Sequence, residues 1–287
     1  MALILLHSSK TMRTAPNAPQ VQNDRLPAFF AEATVLASYL QSIMPNDYEI
    51  VMKFSHEMAQ KTYRLMQEWN PDGPTVPAID CFLGDIYSGL QAQSFTAEDR
   101  QYAHEHLRIL SGLYGMLRAL DEIQPYRLEM GYKLPGTVHG TSLPNISSLY
   151  NFWGDKIARE VAKDVRRSAS TGHPPFIINL SAKEYTKVLF PHVKNIEELK
   201  SVAVISPKFL TVNPKTGKPT FVAVHAKIAR GAFAHWLIKH RIEDIERLKE
   251  FDEIGYVYDP GLSTPEEPAF VAQAFQGLGL SVRLAKK

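Results

Sequence analysis

Apolar positions recur along this chain in two ways, as short unbroken runs and at the three- and four-residue spacing of a helix face. Leu3–His7 is a run of the first kind. It ends in the polar stretch Ser8-Ser9-Lys10-Thr11, which predicts a buried strand feeding a loop. Pro16, Asn17 and Pro19 keep the next stretch irregular. Phe30, Ala33, Leu36, Ala37 and Leu40 predict a helix over 27–43. A second helix is expected over 48–69, before Pro71, Asp72, Gly73, Pro74 and Pro77 break the chain. Periodicity does not place 82–90. Thr96-Ala-Glu-Asp99 has the form of a helix start, a capping hydroxyl with acids in the first turn. The helix it opens carries Leu107 and Leu110, Gly112 to Gly115 interrupts it, and Met116, Leu117 and Leu120 resume it until Pro125.

The second half reads as a loop over 132–148, a helix over 149–165, a linker over 166–175 and a buried strand over 176–180. Strands follow at 202–205 and 209–212, then a turn at Pro214-Lys-Thr-Gly217, a returning strand over 219–225 and a helix over 226–241. There is no fixed-period repeat. Strands and helices do not alternate regularly, which argues against a doubly wound parallel sheet. The expectation is an α+β fold, a mixed sheet with surrounding helices, in a single domain over 1–287.

Composition narrows the function. With 45% hydrophobic and 22% charged residues in 287, wholesale disorder is excluded. The lone Cys81 excludes an intramolecular disulfide, a cysteine-rich zinc site and a two-cysteine redox switch, and no cofactor or metal motif is present. No run approaches the roughly 20 apolar residues of a membrane span. The N-terminus lacks a basic region and a cleavage site, so no membrane partner and a cytoplasmic location are expected.

Net charge is +2, but its distribution is uneven. Between Glu198 and Glu243 there is no acidic residue, while Lys200, Lys208, Lys215, Lys218, Lys227, Arg230, Lys239 and Arg241 all fall there. Such a segment suits an anionic partner or a solvated face balanced by acids elsewhere. On a helical projection Lys227, Arg230 and Arg241 form a stripe opposite an apolar face. A second phosphate-binding candidate is the stretch from Arg108 through Gly112, Tyr114 and Gly115 to Arg118. It has the outline of a helix-hairpin-helix, in which two glycines let backbone approach a phosphate. An ordinary helix cap and turn fits the same residues.

Three further segments concentrate polar chemistry: Gln124-Pro-Tyr126-Arg127-Leu-Glu129-Met-Gly131, Phe152-Trp153-Gly-Asp155, and Asn179 to Tyr185 with Lys183. Together with Phe82-Leu-Gly-Asp85-Ile-Tyr-Ser-Gly-Leu90 and Ala229-Arg-Gly231, these segments closely resemble the YaaA family of peroxide-stress resistance proteins, from Leu3 to about Asp259. The resemblance implies a bacterial cytoplasmic protein tied to survival of hydrogen peroxide and to limiting free iron. It implies a family-specific α+β fold with a helix-hairpin-helix at Gly112–Gly115, and a basic cleft for double-stranded or distorted DNA. It also implies a polar pocket similar to that of DNA glycosylases. Carried over, the pocket residues are Lys10, Thr11, Asp85, Tyr126, Arg127, Glu129, Trp153, Asp155, Lys183 and Tyr185. Relatives carry Ser where this chain has His7, and two basic residues where it has Lys227-Ile228.

Three function classes follow. The first is a DNA-binding stress protein using Arg108, Gly112, Tyr114, Gly115, Arg118, Lys227, Arg230 and Arg241. The second is an enzyme acting on a damaged base or a small metabolite. There Lys10 or Lys183 would be an amine nucleophile, and Asp155 or Glu129 its acid–base partner. A hard-oxygen iron site without chemistry is the third alternative.

Overall fold

The computed structural model describes residues 2–13, 25–134, 148–169 and 174–277. The irregular stretch at Pro16–Pro19 and residues 135–147 of the expected loop lie outside them. The first strand, β1 (Ala2–His7), is buried at every residue, as a central strand covered on both faces must be. A short β2 (Thr11–Met12) leads into three helices, α1 (Phe30–Ser42), α2 (Pro45–Met52) and α3 (His56–Glu68). The last two replace the single helix expected over 48–69. Lys53 turns into the left-handed region at φ 55° and ends α2, and the Ser55 hydroxyl accepts the Met58 N–H to start α3.

Next come β3 (Val76–Pro77), α4 (Ala78–Cys81), β4 (Phe82–Leu83), α5 (Asp85–Leu90) and α6 (Ala97–His106). The expected cap of α6 is present, with Thr96 and Asp99 each satisfying the other's backbone N–H. The helix stops sooner than expected. Residues 107–111 are a strand, β5 (Leu107–Ser111), and β6 (Gly115–Arg118) returns antiparallel to it. The helix-hairpin-helix expectation therefore fails: Gly112 to Gly115 is the turn of a β-hairpin, with Gly115 at φ +67°. All five residues of β5 are buried, so the segment shows no one-sided stripe and its apolar spacing fits helix and strand alike.

The chain continues through β7 (Glu122–Ile123), α7 (Leu149–Trp153), α8 (Lys156–Ala169), β8 (Phe176–Asn179), α9 (Lys183–Thr186), α10 (Phe190–Val193) and β9 (Ala203–Ile205). The main sheet has the order β6-β5-β1-β8-β9, in which β5, β1, β8 and β9 are parallel and β6 is antiparallel. The sheet is mixed, as expected, but parallel pairing dominates it. The chain leaves β1 toward β5 on one side and later enters β8 on the other. The loops after β1 and β8 consequently diverge at the carboxyl edge, where open α/β sheets place their ligands.

The second sheet joins β10 (Lys208–Val212), β11 (Pro219–Thr220), β12 (Tyr256–Tyr258) and β13 (Ala269–Ala272) in the order β11-β10-β13-β12. The returning strand is shorter than expected because α11 (Ala223–Lys239) begins early. This helix packs against β10 and crosses α5 at closest range, through Gly89 and Gly231. A Cβ added to Gly89 would stand 2.0 Å from the Ile228 carbonyl oxygen, and one on Gly231 1.8 Å from that of Ile86. Among the described residues no helix is long and apolar enough to cross a membrane.

Candidate functional site

A cavity of about 400 Å³ opens at the carboxyl edge of the main sheet. The end of β1 and the loop after it contribute His7, Ser8, Ser9 and Lys10. The segment after β8 contributes Ala182, Glu184 and Tyr185, α5 contributes Asp85, and α11 contributes Lys227. The backbone of this edge is held tightly: the Ser8 N–H donates to the Leu110 carbonyl at 2.8 Å, and the Tyr87 hydroxyl donates to the His7 carbonyl at 3.0 Å.

His7 stacks on Tyr185 with ring centroids 4.8 Å apart, and its Nδ1 accepts the Ala182 N–H at 3.2 Å. Burial, with the nearby charges of Arg230 and Lys227, pushes its pKa down to about 3, so the imidazole is neutral. The Ser8 hydroxyl donates to the Tyr185 hydroxyl at 3.2 Å and also meets that of Tyr126. Tyr126 in turn shares a 2.6 Å hydrogen bond with Ser111. Burial raises the pKa of Tyr87, Tyr126 and Tyr185 above the ordinary phenol value, so all three are neutral hydroxyls. Also lining the cavity, Lys10 Nζ lies 2.7 Å from Glu129 Oε2. Glu129 also accepts the Tyr132 hydroxyl and faces Arg127 at 3.6 Å, while the Arg127 guanidinium lies over the Phe54 ring. Glu184 accepts the Gly131 N–H at 2.9 Å.

Of the residues expected in a pocket, Lys10, Asp85, Glu129 and Tyr185 meet here, with Tyr126 buried beside them and Arg127 behind Glu129. Lys183 lines an adjoining open depression that shares Glu129 and Glu184. Thr11 is exposed in β2, paired with Leu83. Asp155 is partly exposed and ion-paired with Arg159 at 2.7 Å, and it does not line the cavity. Trp153 is core: its indole N–H donates to the Gly112 carbonyl at 3.1 Å and its ring fills the space over Gly115.

The expected phosphate contacts divide. Lys227 lines the cavity and Arg230 lies one turn further along the same helix. Arg108, Gly112, Tyr114 and Gly115 are buried and have no surface to offer a phosphate. Arg108 is held by Asp164 at 2.7 Å, Gly112 packs on the Leu128 backbone, and the Tyr114 hydroxyl accepts the Trp69 indole N–H at 3.1 Å. Arg118 also binds Asp164, at 2.8 Å, and Arg241 pairs with Asp99 at 2.8 Å while stacking over Tyr102. Ser8 and Tyr87 were not among the expected pocket residues, and Glu184 was noted only within the polar segment after the strand. The available signal was the abrupt change from an apolar run to hydroxyls at the carboxyl end of β1. No group of three or more His, Cys, Asp or Glu among the described residues is placed to hold a metal ion.

The sequence profile described as peroxide stress protein YaaA matches residues 2–262. The chain belongs to the YaaA family. A UPF0246 protein of Salinispora tropica is 47% identical over 282 residues, covering 98% of each chain. Similar proteins occur in Marinomonas sp., 38% identical over 93% of this chain and 95% of the relative, and in Cupriavidus metallidurans, 34% identical over 91% and 95%. In this YaaA-family chain peroxide meets no ready thiolate. Cys81 is fully buried, its thiol faces the Arg13 carbonyl at 3.7 Å, and burial pushes its pKa up to about 12.

Proposed function

We propose that this YaaA-family protein serves in peroxide stress by binding DNA with broken stacking, one displaced nucleotide entering the cavity at the carboxyl edge of the sheet. This places it at the kind of damage that hydroxyl radicals, formed from peroxide and iron, leave in DNA. The observation that carries the reading is the position of the uncompensated cations. Lys200 pairs with Glu197, Lys208 with Glu267, and Lys239 and Arg241 with Asp99. Lys215, Lys218, Lys227 and Arg230 meet no carboxylate among the described residues. They lie on the β10–β11 turn and the first half of α11, and Lys227 lines the cavity itself. A cavity of about 400 Å³ suits a nucleotide-sized guest.

Each phosphate neutralised contributes a slope of about −0.9 in log K against log salt, so four contacts give roughly −3.6. Fluorescence anisotropy on an intact duplex, a duplex with an unpaired bubble and one with an abasic site tests the reading. The bubble or abasic duplex should bind tighter than the intact one, and Lys227→Ala or Arg230→Ala should lower both affinity and slope. Salt-insensitive binding, or none, refutes it. Lys10 beside Glu129 supports a second reading, a lyase in which the Lys10 amine condenses with the C1′ aldehyde of an abasic site, releasing water and leaving an imine. Borohydride should then trap the protein on abasic DNA and fail to do so after Lys10→Ala.

A further inference from the structure

We infer that the His7 end of the cavity is a phosphate subsite, in which the His7 Nε2–H donates to a phosphate oxygen while Lys227 and Arg230 balance its charge. The inference deepens the nucleic-acid reading, but it holds equally for the phosphate of a free nucleotide.

The tautomer follows from the hydrogen bonding. Nδ1 accepts the Ala182 N–H, so its lone pair is used there and a neutral ring carries its proton on Nε2. No hydrogen bond reaches Nε2 among the described residues, although the ring lines the cavity. The Nε2–H is thus a donor left for a guest. The ring cannot swing away easily, because it is stacked on Tyr185 and belongs to the last residue of a buried strand.

The charge beside it is one-sided. Lys227 and Arg230 are three residues apart on one face of α11, and their positive charges both bear on the imidazole. The carboxylates of the cavity are committed elsewhere: Glu129 to Lys10 and Tyr132, and Glu184 to the Gly131 N–H. Asp85 is engaged as well. Two cations and one neutral donor, at a wall where protonation of the ring is suppressed, match a group with several acceptor-only oxygens and negative charge. A phosphate ester has that chemistry. A metal cation does not, because the available ring nitrogen bears the proton.

The test is a calorimetric titration of the full chain with inorganic phosphate and with a deoxynucleoside monophosphate, alongside nitrogen-15 spectra of the histidine rings. Both ligands should bind and shift the His7 Nε2–H resonance. His7→Ala should weaken each about tenfold, the loss expected for one hydrogen bond to a charged group. His7→Gln, whose amide keeps a neutral N–H donor, should recover part of the loss. Lys227→Ala and Arg230→Ala should each weaken binding with the His7 spectrum otherwise native, which shows that the protein is still folded. Phosphate binding indifferent to His7→Ala, or a His7 resonance unmoved by saturating phosphate, overturns the subsite. If phosphate binds through His7 and the bubble duplex does not, the subsite stands with a free phosphate ester as its source and the DNA reading falls. If the duplex binds with unchanged affinity to His7→Ala, the DNA reading stands and the subsite falls.

Discussion

The contact that sets the position of Lys227 is the α5–α11 crossing, and Gly231→Ala is the perturbation that tests it. A methyl on Gly231 would lie 1.8 Å from the Ile86 carbonyl oxygen, 2.7 Å from the Leu90 nitrogen and 2.9 Å from the Ile86 carbonyl carbon. Real Cβ atoms essentially never come within 3.0 Å of such a neighbour, so the helices must separate by about 1.2 Å. The obstructing atoms are backbone, and no rotamer change relieves them. Overpacking of this kind costs about 3 kcal/mol, the upper part of its usual range. Alanine returns about 1 kcal/mol through helix propensity, leaving a net loss of about 2 kcal/mol. For a chain of 287 residues that is a fall in Tm of roughly 3 °C. Circular-dichroism melts and urea titrations measure it, and Gly89→Ala should behave alike, since its methyl would meet the Ile228 carbonyl at 2.0 Å. Because Lys227 and Arg230 flank this crossing on α11, affinity for phosphate or a bubble duplex should fall with it. A Gly231→Ala protein as stable as the parent, or more so, would refute the close crossing and the cation placement built on it.

Three further outcomes are expected. Arg108→Ala should cost about 2–3 kcal/mol in urea titration, because it removes one charged hydrogen bond from the buried Asp164 carboxylate, whose other oxygen Arg118 still holds. DNA affinity of the folded fraction should not change, since Arg108 has no surface. Burial pushes the Asp121 pKa up to about 7 from an ordinary 3.8, so the folded state holds a proton the unfolded state has released. Its contribution to stability is intact below about pH 4 and lost as pH rises to about 7; Asp121→Asn should flatten that decline, read by melts across pH 4–8. Cys81 should resist iodoacetamide and dilute peroxide in the folded protein and react once urea unfolds it, as followed by intact mass.

Much of the frame was legible because its signals are local. β1, β8 and the Asn213–Gly217 turn have apolar runs or turn residues at their ends, and α6 announces itself through Thr96 and Asp99. The β5–β6 hairpin was not legible, because what makes it a strand is distant. Arg108 interrupts the apolar run and is neutralised by Asp164, 56 residues away on α8. The break at Lys53 has neither glycine nor proline to mark it, and its left-handed turn is imposed by packing of α2 on α3. Charge misled for the same reason. The acid that neutralises Lys239 and Arg241 is Asp99, some 140 positions earlier, so counting charges along the segment overstated its basic surface. In the cavity Lys10, Asp85, Glu129 and Tyr185 were suggested by family resemblance, since no spacing rule connects residues from four separate segments. Trp153 and Asp155 were suggested by the same resemblance, yet one packs inward and the other turns to Arg159.

The order in which the main sheet is assembled bears on how the protein must be made. β1 precedes both of its neighbours in the chain: Ile4 pairs with Leu107 on one side and Ile178 on the other. At roughly 5–20 residues per second, its first neighbour is several seconds behind and its second still later. Throughout that interval a strand that is apolar up to His7 has no hydrogen-bonding partner in its own sheet. Until those partners are made, β1 is the part of the nascent chain most open to premature association.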